Sequence, residues 1–170
     1  ATVGDEPWQY FEQFAATGVP VAVAEARRLG VRLLLAQHPE ITVIVLDDAY
    51  QHRAVRPTLN LLLTELARPF YADHVLPAGR LRESRAGARR ADVVIVTKCP
   101  ADLPEATRAA VAQRIRRYTR PDVPVLFSGY QYGLPQPFTA ETPPCPPPPT
   151  VALLLTGIAQ PSPLREHLES

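Results

Sequence analysis

Methionine is missing altogether from these 170 residues, lysine and tryptophan occur once each, and cysteine occurs twice. Cys99 and Cys145 are 46 positions apart, each beside a proline, with neither C-x-x-C spacing nor nearby histidines. That excludes zinc-ribbon and dithiol redox motifs. A chain near this size hides roughly 68–70% of its unfolded surface, so it needs no disulfide framework, and a reducing compartment is expected. Uncharged apolar runs such as 41–46 and 151–155 fall far short of the ~20 residues that span a bilayer. The opening Ala-Thr-Val-Gly-Asp-Glu-Pro lacks the charged and apolar regions of a signal peptide. With no methionine and an opening that reads as a loop, the chain is expected to be an excised piece of a longer polypeptide.

Net charge is also scarce, at +1. This argues against a polyanion binder acting through its whole surface, yet 17 of the 18 basic residues are arginine and they cluster. Aromatic residues make up only 7% and are not interleaved with the arginines, as a stacking platform for nucleic acid would require.

What the chain does have is a recurring alternation of short Val/Ile/Leu-rich runs and helical stretches, the pattern of buried parallel strands joined by crossover helices. Strands are expected at 20–24, 41–46, 59–64, 92–97, 123–128 and 151–156. Residues 7–16 place Trp8, Phe11 and Ala15 at helical spacing before Gly18, and 25–38 reads as the next helix. The strongest helix covers 103–118: Asp102 and Glu105 offer a capping box, Ala110, Val111, Ile115 and Tyr118 follow on one face, and Arg114, Arg116 and Arg117 are left largely to water. Between 135 and 149, eight of fifteen residues are proline, which excludes helix and central strand. The organisation expected is therefore a domain over 1–134, a stiff linker over 135–150, and the start of a second α/β unit over 151–170.

Three places concentrate chemistry. The apolar run 41–46 delivers Asp47 and Asp48 at the end of an expected strand, where open parallel sheets bind ligands. This resembles a Walker-B-type metal strand, in which one acid holds Mg²⁺ and the other orients a water or substrate group. The same pair would serve equally as a turn closing a strand. Gln51 and His52 follow and suit a polar site. The second place is Leu76-Pro77-Ala78-Gly79-Arg80-Leu81-Arg82-Glu83, where Arg80, Arg82, Arg85, Arg89 and Arg90 fall within eleven residues. Guanidinium groups at that density fit phosphate recognition, and a solvated basic loop fits them too. The third is Gly4-Asp5-Glu6-Pro7, two acids at a helix start, which capping and the helix dipole alone would favour. A nucleotide kinase also needs G-x-x-x-x-G-K-[ST], and Lys98 has no glycine-rich run before it. Either that loop precedes Ala1 or the kinase reading fails.

Taken together, Gly4-Asp5-Glu6-Pro7, Leu46-Asp47-Asp48-Ala49-Tyr50-Gln51-His52, Leu76 through Glu83, Val94-Ile95-Val96-Thr97-Lys98 and Thr156-Gly157-Ile158-Ala159 resemble, in order and spacing, the tetraacyldisaccharide 4'-kinase family, in the form found in Bacteroidetes. Those enzymes phosphorylate the lipid A precursor of Gram-negative bacteria. The resemblance implies an α/β fold of the P-loop-kinase type, a three-layer α/β/α sandwich with a mostly parallel sheet, here truncated at both ends. It implies ATP and Mg²⁺ as cofactors, a membrane-embedded glycolipid, tetraacyldisaccharide 1-phosphate, as acceptor, no nucleic-acid partner, and work at the cytoplasmic face of the inner membrane through segments outside this chain.

Residue by residue, Asp5 matches the acid that activates the sugar hydroxyl and Glu6 its polar neighbour near the metal. Asp47 and Asp48 match the Walker-B-type pair, with Asp48 also catalytic. Gln51 and His52 match nucleotide-side positions; Arg80, Arg82 and Glu83 match the acceptor side. Metal ligation falls to Asp47, Asp48 and Glu6. The P-loop Lys and Ser/Thr, an amphipathic N-terminal membrane segment and a downstream Asp-His-His motif are absent from the sequence, and His167 stands too early to replace the last. The chain alone is accordingly expected not to turn over. The competing readings are another P-loop kinase or synthetase, and a non-catalytic arginine-rich anion-binding module.

Overall fold

The computed structural model describes residues 4–133, 153–158 and 161–169. Two compact units divide the chain, Ala1–Ser128 and Gly129–Ser170. The proline-rich linker expected at 135–150 lies outside the described residues.

In the first unit, β1 (Leu61–Glu65), β2 (Val93–Thr97) and β3 (Val125–Phe127) form an all-parallel sheet in that order. Leu61 pairs with Val93, and Val94 with Val125. Parallel neighbours need a crossover, and α3 (Glu105–Arg116) supplies the one between β2 and β3. Alternation along the strands then decides what is buried. Val94 and Val96 are fully buried and pack with Ile115 and Val111 of α3, alongside Ala91, Cys99, Leu103 and Val123. Leu61, Leu63 and Leu126 remain exposed. The expected α/β class with a parallel sheet is what the chain adopts.

Three of the six expected strands form, each shifted by one or two residues. Segments 20–24 and 41–46 do not: neither joins a ladder, and Val23, Val43 and Val45 are exposed. Apolar composition marks a segment that could be buried in a sheet, but a strand also needs a partner, and no described strand lies beside either run. Of the sixth expectation, 151 and 152 lie outside the described residues and 153–156 pair with no strand.

The helices also differ in detail. In α1 (Asp5–Phe14) no residue is buried, and Trp8 and Phe11 lie against each other, ring centroids 5.6 Å apart, rather than in a core. A short 3-10 turn, Ala15–Thr17, follows and ends at Gly18, whose φ of 69° requires the freedom glycine has. Helix α2 (Arg27–Gln37) likewise buries nothing. The capping box expected for α3 is not made. Pro104, extended at φ −61° and ψ 143°, occupies the N-cap, and its carbonyl receives Thr107 N–H and Arg108 N–H at 3.0 and 3.1 Å. In the second unit, α4 (Ser162–Glu169) carries His167, whose ring stacks on Tyr132 at 4.7 Å.

Asp92 ties the start of β2 to its neighbours. Its carboxylate accepts Asn60 N–H and an Arg120 guanidinium N–H, both at 2.9 Å. These bonds, the backbone one foremost, hold its carboxyl below the usual range. A depressed carboxylate contributes stability above its unfolded value and loses it as the pH falls through the folded one. Thermal midpoints are therefore expected to fall below about pH 4. Asp92→Asn should lower the midpoint at pH 7 by about 2–4 °C and flatten the acid slope, because a part-exposed pair of this kind contributes about 1 kcal/mol. An Asn variant with an unchanged acid slope would assign that slope to other groups.

Candidate functional site

The acids singled out by the sequence sit in two short segments that the fold draws together. Asp5 and Glu6 open α1 behind an extended Gly4 that makes no side-chain cap, and both are exposed. Asp47 and Asp48 occupy a turn after 41–46, with Asp48 at a φ of 46°, the left-handed conformation that Asp and Asn tolerate best among non-glycine residues. Tyr10 bridges the two segments. It is four residues from Glu6, on the same side of α1, and its hydroxyl donates to Asp47 Oδ2 at 3.4 Å. The Asp47 carboxylate, with a smaller contribution from Glu6, raises the Tyr10 phenol above its ordinary value.

The loop of the second cluster reaches the same turn from the other side. Arg82 Nη1 donates to Asp48 Oδ2 at 2.7 Å across 34 residues of sequence. Both partners are largely exposed, so the pair positions more than it stabilises. Glu83, by contrast, is largely covered. Arg90 and Arg53 grip its two oxygens at 2.5 and 3.3 Å. A Cβ on Gly87 would stand 2.5 Å from Glu83 Oε1, so only glycine lets the carboxylate lie there. Arg90 also donates to the Tyr50 carbonyl at 3.2 Å and lies over the Tyr50 ring, while the Tyr50 hydroxyl donates to the Gly87 carbonyl at 3.0 Å. Burial pushes the Tyr50 phenol up to about 12. Glu83 thus belongs to a braced cluster that fixes the 83–90 segment against the turn after Asp48.

Gln51 and His52 continue that turn, closed by His52 N–H donating to the Ala49 carbonyl at 2.8 Å, and both side chains are exposed. Arg80 is exposed two residues before Arg82. At the C-terminal ends of β1 and β2, Glu65 and Lys98 form an ion pair, and Lys98 has a φ of 58°. Two of the motifs, those containing Asp48 and Arg82, therefore meet through a side-chain contact, and Tyr10 of α1, outside the motif that holds Asp5, reaches the same turn at Asp47. Glu6, Asp47 and Asp48 are not assembled as a three-carboxylate group. Among the described residues no three His, Cys, Asp or Glu side chains are placed to hold a metal together. Asp47 and Asp48 still offer adjacent exposed oxygen donors, the kind Mg²⁺ accepts from one or two carboxylates when phosphates complete its shell. Tyr10 and Arg53 were not singled out from the sequence. Only the helical spacing of Tyr10 from Glu6 could have pointed to one of them.

Comparison with known proteins covers the entire chain. The sequence profile of the family described as "Tetraacyldisaccharide-1-P 4'-kinase" matches residues 1–170. A protein of Cytophaga hutchinsonii named tetraacyldisaccharide 4'-kinase is 45% identical over 177 residues, which take in 100% of this chain and 46% of that protein. Proteins of the same name from Bacteroides thetaiotaomicron and Flavobacterium johnsoniae are 42% and 38% identical, over 99% of this chain and 46% and 48% of their own lengths. The chain spans about half the length of these relatives. No solved structure matches it. Among the described residues no helix is long and apolar enough to cross a membrane.

Proposed function

The chain belongs to the tetraacyldisaccharide-1-P 4'-kinase family, and from that premise we propose that the polypeptide carrying it transfers the γ-phosphate of ATP to the 4'-hydroxyl of tetraacyldisaccharide 1-phosphate, the lipid A precursor. The observation that carries this reading is the contact of Arg82 with Asp48, which joins two of the motifs at one turn, with Tyr10 of the helix that Asp5 opens bound to the neighbouring Asp47. A phosphoryl transferase works by positioning and electrostatics, so it needs acids, a proton acceptor and cations grouped around one point.

In this reading Asp5 takes the proton of the 4'-hydroxyl as its oxygen attacks the γ-phosphorus and the bond to the bridging oxygen of ADP breaks. Glu6 supports the acid end. Asp47 and Asp48 hold Mg²⁺, which when bound neutralises charge on the phosphates. Gln51 and His52 face the nucleotide. Arg80 and Arg82 face the acceptor, and Glu83 fixes their loop. The glycolipid is met at the cytoplasmic face of the inner membrane.

The test is a transfer assay on a full-length polypeptide containing these residues, with the tetraacylated disaccharide 1-phosphate and Mg-ATP. Asp48→Asn is the informative variant. Asparagine keeps the left-handed backbone and the turn while losing the charge, so the thermal midpoint should hardly move. The expected fall in kcat is at least ~10²-fold. Near-native kcat with unchanged Mg²⁺ dependence would return the acid pair to a turn-forming role.

A further inference from the structure

Asp48 and Arg82 meet at 2.7 Å, yet both side chains are largely exposed, and an exposed ion pair contributes little. Asp48 also carries a φ of 46°, a conformation that persists in a residue other than glycine only where its surroundings impose it. Something more deeply set than the pair itself has to hold this turn.

Arg90 stands between two buried anchors. Ala88 and Ala91, on either side of it in the chain, are 4% and 0% exposed, and Ala91 belongs to the core. From there its guanidinium reaches two segments at once. Nη2 donates to Glu83 Oε1 at 2.5 Å and to the Tyr50 carbonyl at 3.2 Å, and the guanidinium carbon lies 4.8 Å from the centre of the Tyr50 ring. Tyr50 is pinned at its other end as well, since it packs against the core and its hydroxyl donates to the Gly87 carbonyl at 3.0 Å.

These contacts fall next to the exposed pair in sequence. Tyr50 follows Asp48 by two residues, at most about 7 Å of chain, and Glu83 directly follows Arg82. A circuit thus closes: Asp48 to Tyr50 along the chain, Tyr50 to Glu83 through Arg90, Glu83 to Arg82 along the chain, and Arg82 back to Asp48. The contact through Arg90 is the more covered of the two that close it, with side-chain exposures of 33% and 19% for Arg90 and Glu83 against 61% and 65% for Arg82 and Asp48. The covered contact therefore sets the separation at the exposed one. Lysine would keep the charge but has no planar fork to lie over an aromatic ring while donating to two acceptors.

Resting on the proposed kinase reading, in which Asp48 serves the metal, we propose that Arg90 is a positioning residue for the reaction, which sets the place of Asp48 and Arg82 by holding Tyr50 and Glu83. Tyr50 is its partner, carrying the hold from the core to the turn.

Two measurements on the full-length polypeptide test this: kcat for transfer to tetraacyldisaccharide 1-phosphate, and the affinity for Mn²⁺ in the presence of ADP, read by electron paramagnetic resonance with Mn²⁺ in place of Mg²⁺. Arg90→Lys with a native melting curve should lower kcat about tenfold or more, leave the KM for ATP within about twofold, and weaken Mn²⁺ binding about threefold or more. In the Asp48→Asn background the same substitution should add little to either loss, because a residue that acts through Asp48 has nothing left to place. A residue that merely supports the fold would lower both backgrounds by the same factor. That result overturns the inference, as do wild-type values in folded Arg90→Lys. Should Arg90→Lys fail to fold, Tyr50→Phe decides, since it removes only the bond to Gly87. A loss that disappears in the Asp48→Asn background supports the circuit, and unchanged values or equal losses overturn it. Failure of the underlying reading shows separately: Asp48→Asn alone would leave kcat and Mn²⁺ affinity at wild-type values, which removes the acid pair from the reaction and the role of Arg90 with it.

Discussion

Truncating Ile115 to alanine is expected to remove about 2–5 kcal/mol of folding stability, the range for a large aliphatic side chain deleted from a packed interior. Among the described residues, Ile115, Val94 and Val96 are the largest fully buried side chains, and all three meet between α3 and one face of the sheet. Domains of this size are stable by about 5–15 kcal/mol in total, so the loss would be a substantial fraction. Urea unfolding followed by circular dichroism should show a lower midpoint with an unchanged slope, the signature of altered stability without altered exposure. Leu63→Ala provides the control. Leu63 lies on the opposite sheet face, 61% exposed, and its loss should cost less than about 0.5 kcal/mol. Equal effects from the two variants would mean that the sheet is not buried on the face described here.

That asymmetry also shows what the sequence could and could not announce. The runs that became β1, β2 and β3 were legible because their composition and their ladder partners agree. Segment 41–46 has the same composition, yet Val43 is 75% and Val45 87% exposed. Apolarity belongs to the segment itself, whereas pairing is a relation with another strand, and no period or propensity encodes it. The helix over Glu105–Arg116 was legible from Val111 and Ile115, but its start was not. Asp102 and Glu105 have capping-box spacing, yet Pro104 takes an extended conformation and occupies the cap. In α1 the spacing of Trp8 and Phe11 announced the helix, and in it the two rings lie against each other while remaining about half exposed.

The site divides in the same way. The order of the five motifs was readable and led to the family that the whole-chain match shows. The pairings were not. Tyr10 with Asp47 and Arg82 with Asp48 join residues 37 and 34 positions apart, and nothing local to either partner specifies the other. Glu83 illustrates the consequence: beside a run of arginines it reads as an open site acid, and the fold instead closes Arg53 and Arg90 around it.

Asp5 is where chemistry and structure predict the most different outcomes. As the first residue of α1, behind an uncapped Gly4, it makes no side-chain cap, so its structural worth is limited to a favourable place at the positive end of a short helix. Neither Asp5→Ala nor Asp5→Asn should move the melting midpoint of the full-length polypeptide appreciably. If Asp5 accepts the hydroxyl proton, both variants should lower kcat by at least ~10²-fold with little change in the KM for ATP, because proton removal matters in the transition state and not in nucleotide binding. Asparagine makes the sharper test, since it keeps the size and polarity of the side chain and removes only the basic oxygen. A pH profile separates loss of a base from a general disturbance. The acid limb of kcat against pH, which reports the group that must be ionised, should vanish in the Asn variant while the residual rate persists. A folded Asn variant with wild-type kcat and an intact acid limb would place the proton acceptor elsewhere and leave Asp5 as a residue of the helix start alone.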